Sequence, residues 1–174
     1  MFSRSQDRFK KLARNLDALA NEDSRRLQRE WEIQQLRRRA ASELHALCSG
    51  FIDSMNQLVS SVRLDLSPED FAPEAFQDPG MNIFQINVSG RVVQLTFQST
   101  DLMESTLELR TPYTLEGSIR WFNQEMLERD DVKDHRLYYC LDKARNEWRF
   151  HDRRGNRLGV VDQEYLAAIL EELV

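Results

Sequence analysis

The chain has little cysteine, glycine or histidine, and these shortages argue against several kinds of site. Its 174 residues include two cysteines, too few for a disulfide framework. The six glycines lack the spacing of a phosphate-binding loop. The three histidines have no metal-ligand spacing to another histidine, a cysteine or a pair of carboxylates. We therefore predict no catalytic residue, no metal site and no cofactor.

Long apolar runs are also absent. No run approaches the roughly 18 residues that cross a bilayer. The first 19 residues have basic side chains throughout, without an uninterrupted apolar stretch or a small-residue cleavage site. These features predict a cytoplasmic protein with no membrane span.

The charge is unevenly distributed along the chain, although the net value is only −5. Residues 1–65 carry 12 Lys and Arg against 9 Asp and Glu, whereas residues 66–174 carry 12 against 20. A polyanion would therefore meet the N-terminal part. Weak nucleic-acid binding through an Arg-rich helix is one alternative function, but interleaved acids disfavour it. The arginines of that helix are Arg25, Arg26, Arg29, Arg37, Arg38 and Arg39.

The strongest pattern is a core stripe of apolar residues that repeats every eleven positions. Such a period, about 3.67 residues per turn, keeps the stripe on one side of a nearly straight helix. It predicts a spine helix over residues 33–62, which widens its apolar face after Ala40 to lie across a sheet. Gly50 within it predicts close approach of another backbone. The core stripe comprises Ile33, Leu36, Ala40, Leu44, Leu47, Phe51, Met55, Leu58 and Val62.

A second apolar pattern precedes the spine helix. Four residues spaced three, four and three apart form a narrow seam, roughly a quarter turn round from the core stripe. Leu27 and Trp31 also lie away from the core side. Either residues 21–24 break the chain into a helical hairpin, or one continuous helix presents the seam to another chain. The seam is formed by Phe9, Leu12, Leu16 and Leu19.

Residues 63–80 form a connector, because they hold three of the four prolines; we expect a short helix to begin at Ser67 and Pro68. The period then becomes two, which indicates strands. The expected hairpin turns at Ser89 and Gly90. A further strand contains Leu107 and Leu109, and residues 113–123 form a long strand for which a helix is the alternative. The remaining elements are strands at 136–141, 147–151 and 159–161, then a final helix capped by Asp162.

The predicted fold class is therefore α+β. A long N-terminal helix, or helical hairpin, packs on an antiparallel sheet of five to six strands, with a short C-terminal helix on the same face. We divide the chain into a helical arm, residues 1–32, and an α+β domain, residues 33–174. Within that domain the spine helix covers 33–62, the connector 63–80, and the sheet with the C-terminal helix 81–174.

The leading functional hypothesis is a non-enzymatic module that self-associates or binds a helical protein partner. Its surface would be the N-terminal stripe, whose apolar residues point away from the core stripe. The N-terminal stripe comprises Phe9, Leu12, Leu16, Leu19, Leu27 and Trp31.

A second hypothesis places a small-molecule or catalytic pocket between the spine helix and the sheet. Soft and aromatic side chains near Gly50 would line it: Cys48, Met55, Trp121 and Tyr139. A thiol and imidazole pair of Cys140 and His151 across the last hairpin is conceivable. No orienting group or oxyanion site accompanies that pair at a readable spacing.

Overall fold

The computed structural model describes residues 2–174. Contacts divide the chain into two compact units, of which the first ends at Leu36 and the second begins at Arg37. The predicted division after residue 32 stays a prediction. The helices are α1 (Phe2–Leu58), α2 (Gln124–Glu128) and α3 (Gln163–Glu171), with a 3-10 turn at Pro73–Ala75. The strands are β1 (Asp65–Ser67), β2 (Asn82–Val88), β3 (Arg91–Ser99), β4 (Tyr113–Phe122), β5 (Lys133–Cys140), β6 (Glu147–His151) and β7 (Arg157–Val160).

Helix α1 is continuous, so the hairpin alternative is wrong. From Arg4 onward, Ile33 is the first buried residue of the helix, and burial recurs along the core stripe at Ala40, Leu44 and Phe51. The helix ends at Leu58 rather than at residue 62. Asn56, in the last turn of α1, holds the chain that follows the helix. Its side chain accepts from the backbone N–H of Leu64 at 2.8 Å and donates to the Leu64 carbonyl at 3.0 Å.

The seven strands form one sheet in chain order, each antiparallel to its neighbours, which confirms the α+β prediction. The sheet has more strands than the five to six predicted. The additional strand is β1, which pairs with β2. The short helix expected to begin at Ser67 and Pro68 is wrong, because Ser67 belongs to β1 and no helix covers residues 68–72. The strand expected around Leu107 and Leu109 is also wrong, because no strand covers these residues in the structure and Leu107 is 86% exposed.

Helices α1 and α3 cover the same face of the sheet. Trp148 on β6 donates its indole N–H to the carbonyl of Ala40 on α1, at 2.8 Å. Phe150, two residues further along β6, stacks on Tyr165 of α3, with ring centroids 3.7 Å apart. Alternate residues of a strand share a face, so both helices contribute to one core.

The opposite face of the sheet holds a smaller core. Tyr113, Tyr138 and Cys140 are buried there, and Leu109 packs against them. The β5 strand is therefore buried on both faces near its end, which explains its unbroken run of large or apolar residues from Leu137 to Cys140.

Two glycines illustrate how closely the elements pack. Residues 113–122 form strand β4, so the helix alternative is wrong. At Gly117 within it, a Cβ would collide with the backbone carbonyl of Thr96 and lie 2.7 Å from the Cα of Phe97. Gly50 behaves differently from the prediction. The nearest atom to a Cβ there is the side-chain nitrogen of Gln163, at 3.2 Å, so no other backbone approaches it closely.

Candidate interaction surface

The N-terminal stripe is exposed along its whole length. Every side chain from Arg4 to Arg29 is exposed. The six stripe residues have between 54% and 67% of their side-chain area open, from Leu12 at the low end to Phe9 at the high end. Isolated exposed apolar residues are common, but a contiguous apolar patch usually marks an interaction site.

The six residues lie on one side of the helix. At about 100° per residue, Leu19 marks one edge of the stripe and Trp31 the other, and all six fall within a sector of about 120°. Leu27 follows Leu16 by eleven residues, so it lies within about 20° of it. Leu27 therefore continues the face formed by the seam, and Trp31 widens that face by about 40°.

The basic residues of this segment lie outside the stripe, whereas two acids lie within it. None of its eight basic residues between Arg4 and Arg29 falls within the sector, and the acids inside it are Asp23 and Glu30. Asp23 forms an ion pair with Arg26 at 3.4 Å, in which both side chains are about two-thirds exposed. Such a pair contributes little free energy. The stripe thus presents a mainly apolar surface with charged flanks.

The Arg-rich helix does not act as one basic surface. Arg37 is buried, and its guanidinium donates to Thr114 Oγ1 at 2.8 Å and to the Leu102 carbonyl at 3.1 Å. It also faces Asp78 at 3.6 Å. Burial lowers the pKa of Arg37, and the Asp78 carboxylate partly opposes this. Arg38 and Arg39 are exposed.

The buried position of Arg37 could have been read from helical spacing. Arg37 follows Ile33 by four residues and precedes Leu44 by seven, so it belongs to the buried side of α1. Its charge alone had placed Arg37 in one group with its exposed neighbours Arg38 and Arg39.

The four residues of the predicted pocket do not share a cavity among those described. Cys48 and Tyr139 are buried in the core, where burial raises the pKa of each to about 12. Met55 is half-buried on α1. Trp121 instead lies beside an open cavity of about 590 Å³ that Cys48, Met55 and Tyr139 do not line. A small-molecule or catalytic role for these residues stays a prediction.

The cavity beside Trp121 contains polar groups that bind one another. Glu172 accepts a hydrogen bond from the Trp121 indole at 2.6 Å. Asp134 accepts from Arg153 at 2.6 and 2.8 Å. His135 lies on β5, with its Nδ1 2.8 Å from the Tyr165 hydroxyl.

Cys140 and His151 line another cavity, of about 420 Å³, but they are not directly opposite each other. Cys140 pairs with Glu147 and His151 pairs with Arg136, four residues apart along the hairpin, which is about 13 Å. Burial raises the pKa of the Cys140 thiol to about 11. A protonated thiol is a poor nucleophile. Both the separation along the hairpin and the raised pKa therefore argue against a thiol and imidazole pair of Cys140 and His151.

Residues 2–174 contain no cluster of three or more His, Cys, Asp or Glu side chains that could hold a metal ion. Over the same residues, none of the helices has a stretch both long and apolar enough to cross a bilayer. Comparison with known proteins found no matching family model, no similar curated protein and no similar solved structure.

Proposed function

We propose that this protein is a non-enzymatic interaction module that associates through the N-terminal stripe. The observation that carries the proposal is that six large apolar side chains, each more than half exposed, share one side of α1. Burying a leucine or phenylalanine side chain contributes about 1.5–3 kcal/mol. A narrow apolar stripe buries most of its area against a partner surface that is also apolar and narrow. The apolar face of an amphipathic helix is such a surface.

The test compares the full-length protein with variants that change the stripe and leave the helix intact. Leucine and glutamine have similar helix propensities, so the double variant Leu12→Gln with Leu16→Gln removes apolar surface at little cost to the helix. We expect the full-length protein to associate as its concentration rises in sedimentation equilibrium. The double variant should associate at least about a hundredfold more weakly.

The matched control is Leu58→Gln. Leu58, which the sequence pattern assigned to the core stripe, is 80% exposed at the end of the same helix and is not part of the N-terminal stripe. We expect this variant to associate like the unmodified protein. A monomeric mass for the unmodified protein at every concentration, or an equal loss in the Leu58→Gln variant, would contradict the proposal.

A further inference from the structure

The charged side chains beside the N-terminal stripe change sign along the helix, from basic to acidic. Residues 4–14 carry five basic side chains and one acid, whereas residues 15–24 carry three acids and no basic side chain. A basic segment of net charge +4 is therefore followed by an acidic segment of net charge −3. Two parallel copies would place like charges side by side. Two copies that run in opposite directions would place each basic segment on the acidic segment of the other.

The apolar spacing fits the same arrangement. The steps of three, four and three from Phe9 to Leu19 read the same in either direction, with their centre at residue 14. In an antiparallel pair with this centre, Phe9 faces Leu19 of the second copy, and Leu12 faces Leu16 of the second copy. All four side chains are more than half exposed and available for such a seam.

The residues beside the seam add two identical ion pairs. One edge of the seam is formed by positions 8, 15 and 22, so Arg8 faces Glu22 of the second copy, and Glu22 faces Arg8 of the second copy. Both side chains are exposed, and neither has an ion-pair partner in the part of the chain that the structure describes. In a parallel pair, Arg8 would instead face Ala13 of the second copy, with no charge to meet.

The other edge of the seam brings small residues together. In the antiparallel register, Ala13 of each copy faces Ala13 of the other, which allows the two backbones to approach closely. Leu27 and Trp31 lie beyond the end of this seam.

We infer that the partner of the N-terminal stripe is a second copy of this chain, bound antiparallel and centred at residue 14, with Arg8 paired to Glu22 of the second copy. The inference rests on the proposed function, to which it adds the partner and the register.

Charge reversal in the full-length protein tests the register. Arg8→Glu and Glu22→Arg each replace two attractive pairs by two repulsive ones, so each should weaken the dimer about tenfold in sedimentation equilibrium. The double variant with both reversals restores opposite charges and should return to within about threefold of the unmodified protein. Arg4→Glu is the matched control, since it lies in the same basic segment but away from the seam edge, and it should have a smaller effect than Arg8→Glu.

Crosslinking gives an independent readout. Cys48 and Cys140 are buried, so Ala13→Cys introduces an accessible thiol that should join two copies through a short bismaleimide. Lys10→Cys lies about 140° round the helix from the centre of the seam, so it should not. If association is lost in the Leu12→Gln, Leu16→Gln variant but both charge reversals and the crosslinks show no effect, the register is wrong and the proposed function stands. If the unmodified protein does not associate, both are wrong.

Discussion

Gly117 lies on β4 where the backbone of β3 leaves no room for a side chain. A Cβ at this position would collide with the Thr96 carbonyl and would lie 2.7 Å from the Phe97 Cα, and backbone atoms of a central strand cannot move aside cheaply. We expect Gly117→Ala to lower the free energy of unfolding by about 3 kcal/mol or more. Denaturant unfolding followed by circular dichroism measures this change.

Gly50 provides the matched control for that substitution. It lies within α1, and its only close neighbour is the flexible end of the Gln163 side chain. Alanine has a higher helix propensity than glycine by about 1 kcal/mol. Gly50→Ala should therefore leave the stability unchanged or raise it slightly. If Gly50→Ala lowered the free energy of unfolding as much as Gly117→Ala, the prediction would be contradicted. Collision with backbone atoms would then not explain the difference expected between the two positions.

His151 should make the stability depend on pH. Its Nδ1 donates to the Gly155 carbonyl at 3.1 Å, and its Nε2 is buried without a partner among the described residues. Burial lowers the pKa of His151 below its ordinary value of 6.5; Arg149 and Arg157 lower it further, while the Gly155 bond and Asp152 oppose them. The unfolded chain therefore binds more protons just below pH 6.5, and stability falls as the pH falls through that region.

The measurement is the free energy of unfolding at pH 7.5 and at pH 5.5, for the unmodified protein and for His151→Asn. Asparagine can donate to the same carbonyl and does not titrate. The variant should lose less stability between these two pH values. His135, whose pKa burial also lowers, remains in both proteins and accounts for a shared part of the loss. Equal losses would show that His151 does not contribute.

At the scale of elements, three consecutive arginines of α1 have different roles. Arg37 joins the helix to the loop around Thr100 and Leu102, whereas Arg38 is exposed. Arg37→Ala would leave the carbonyls of Thr100 and Leu102 without this donor and Asp78 without its cation. We expect a loss of about 3 kcal/mol in the free energy of unfolding.

Arg38→Ala is the control on the same turn of the helix. Exposed substitutions of this kind usually change stability by less than about 0.5 kcal/mol. Denaturant unfolding of both variants distinguishes the two roles. Similar losses would mean that the buried network around Arg37 contributes no more than an exposed side chain does.

Periodicity predicted the elements whose apolar residues face one core. The β2–β3 hairpin with its turn at Ser89 and Gly90, the β6 strand, and the helix capped by Asp162 all follow from alternation, turn chemistry or capping. Periodicity also predicted the N-terminal stripe, because helical spacing alone places its residues on a different side of α1 from the core stripe.

The elements that sequence reasoning missed depend on contacts between distant residues. Strand β1 is three residues long, too short for alternation to be visible, and it exists because it pairs with β2. Leu109 looked like part of a strand but packs on Tyr113, Tyr138 and Cys140, a second core on the other face. Periodicity cannot show which distant residues meet, so these features could not be predicted.

At the scale of the whole molecule, the two units should differ in local stability. The second unit contains the buried core apart from Ile33, whereas residues 4–29 of the first have no buried side chain. A helix without tertiary contacts is held mainly by its own hydrogen bonds and opens readily. We therefore expect fast amide exchange over residues 4–29 in dilute protein and slow exchange over the strands of the sheet.

Raising the protein concentration should change exchange in only part of the first unit. If two copies pair antiparallel around residue 14, protection should rise over residues 5–23 and much less over residues 25–31, which lie beyond the seam. Hydrogen exchange with mass spectrometry at low and high concentration measures this difference. The Leu12→Gln, Leu16→Gln variant should show no rise. A uniform increase across residues 4–31 would contradict the register centred at residue 14, since the whole stripe would then be covered.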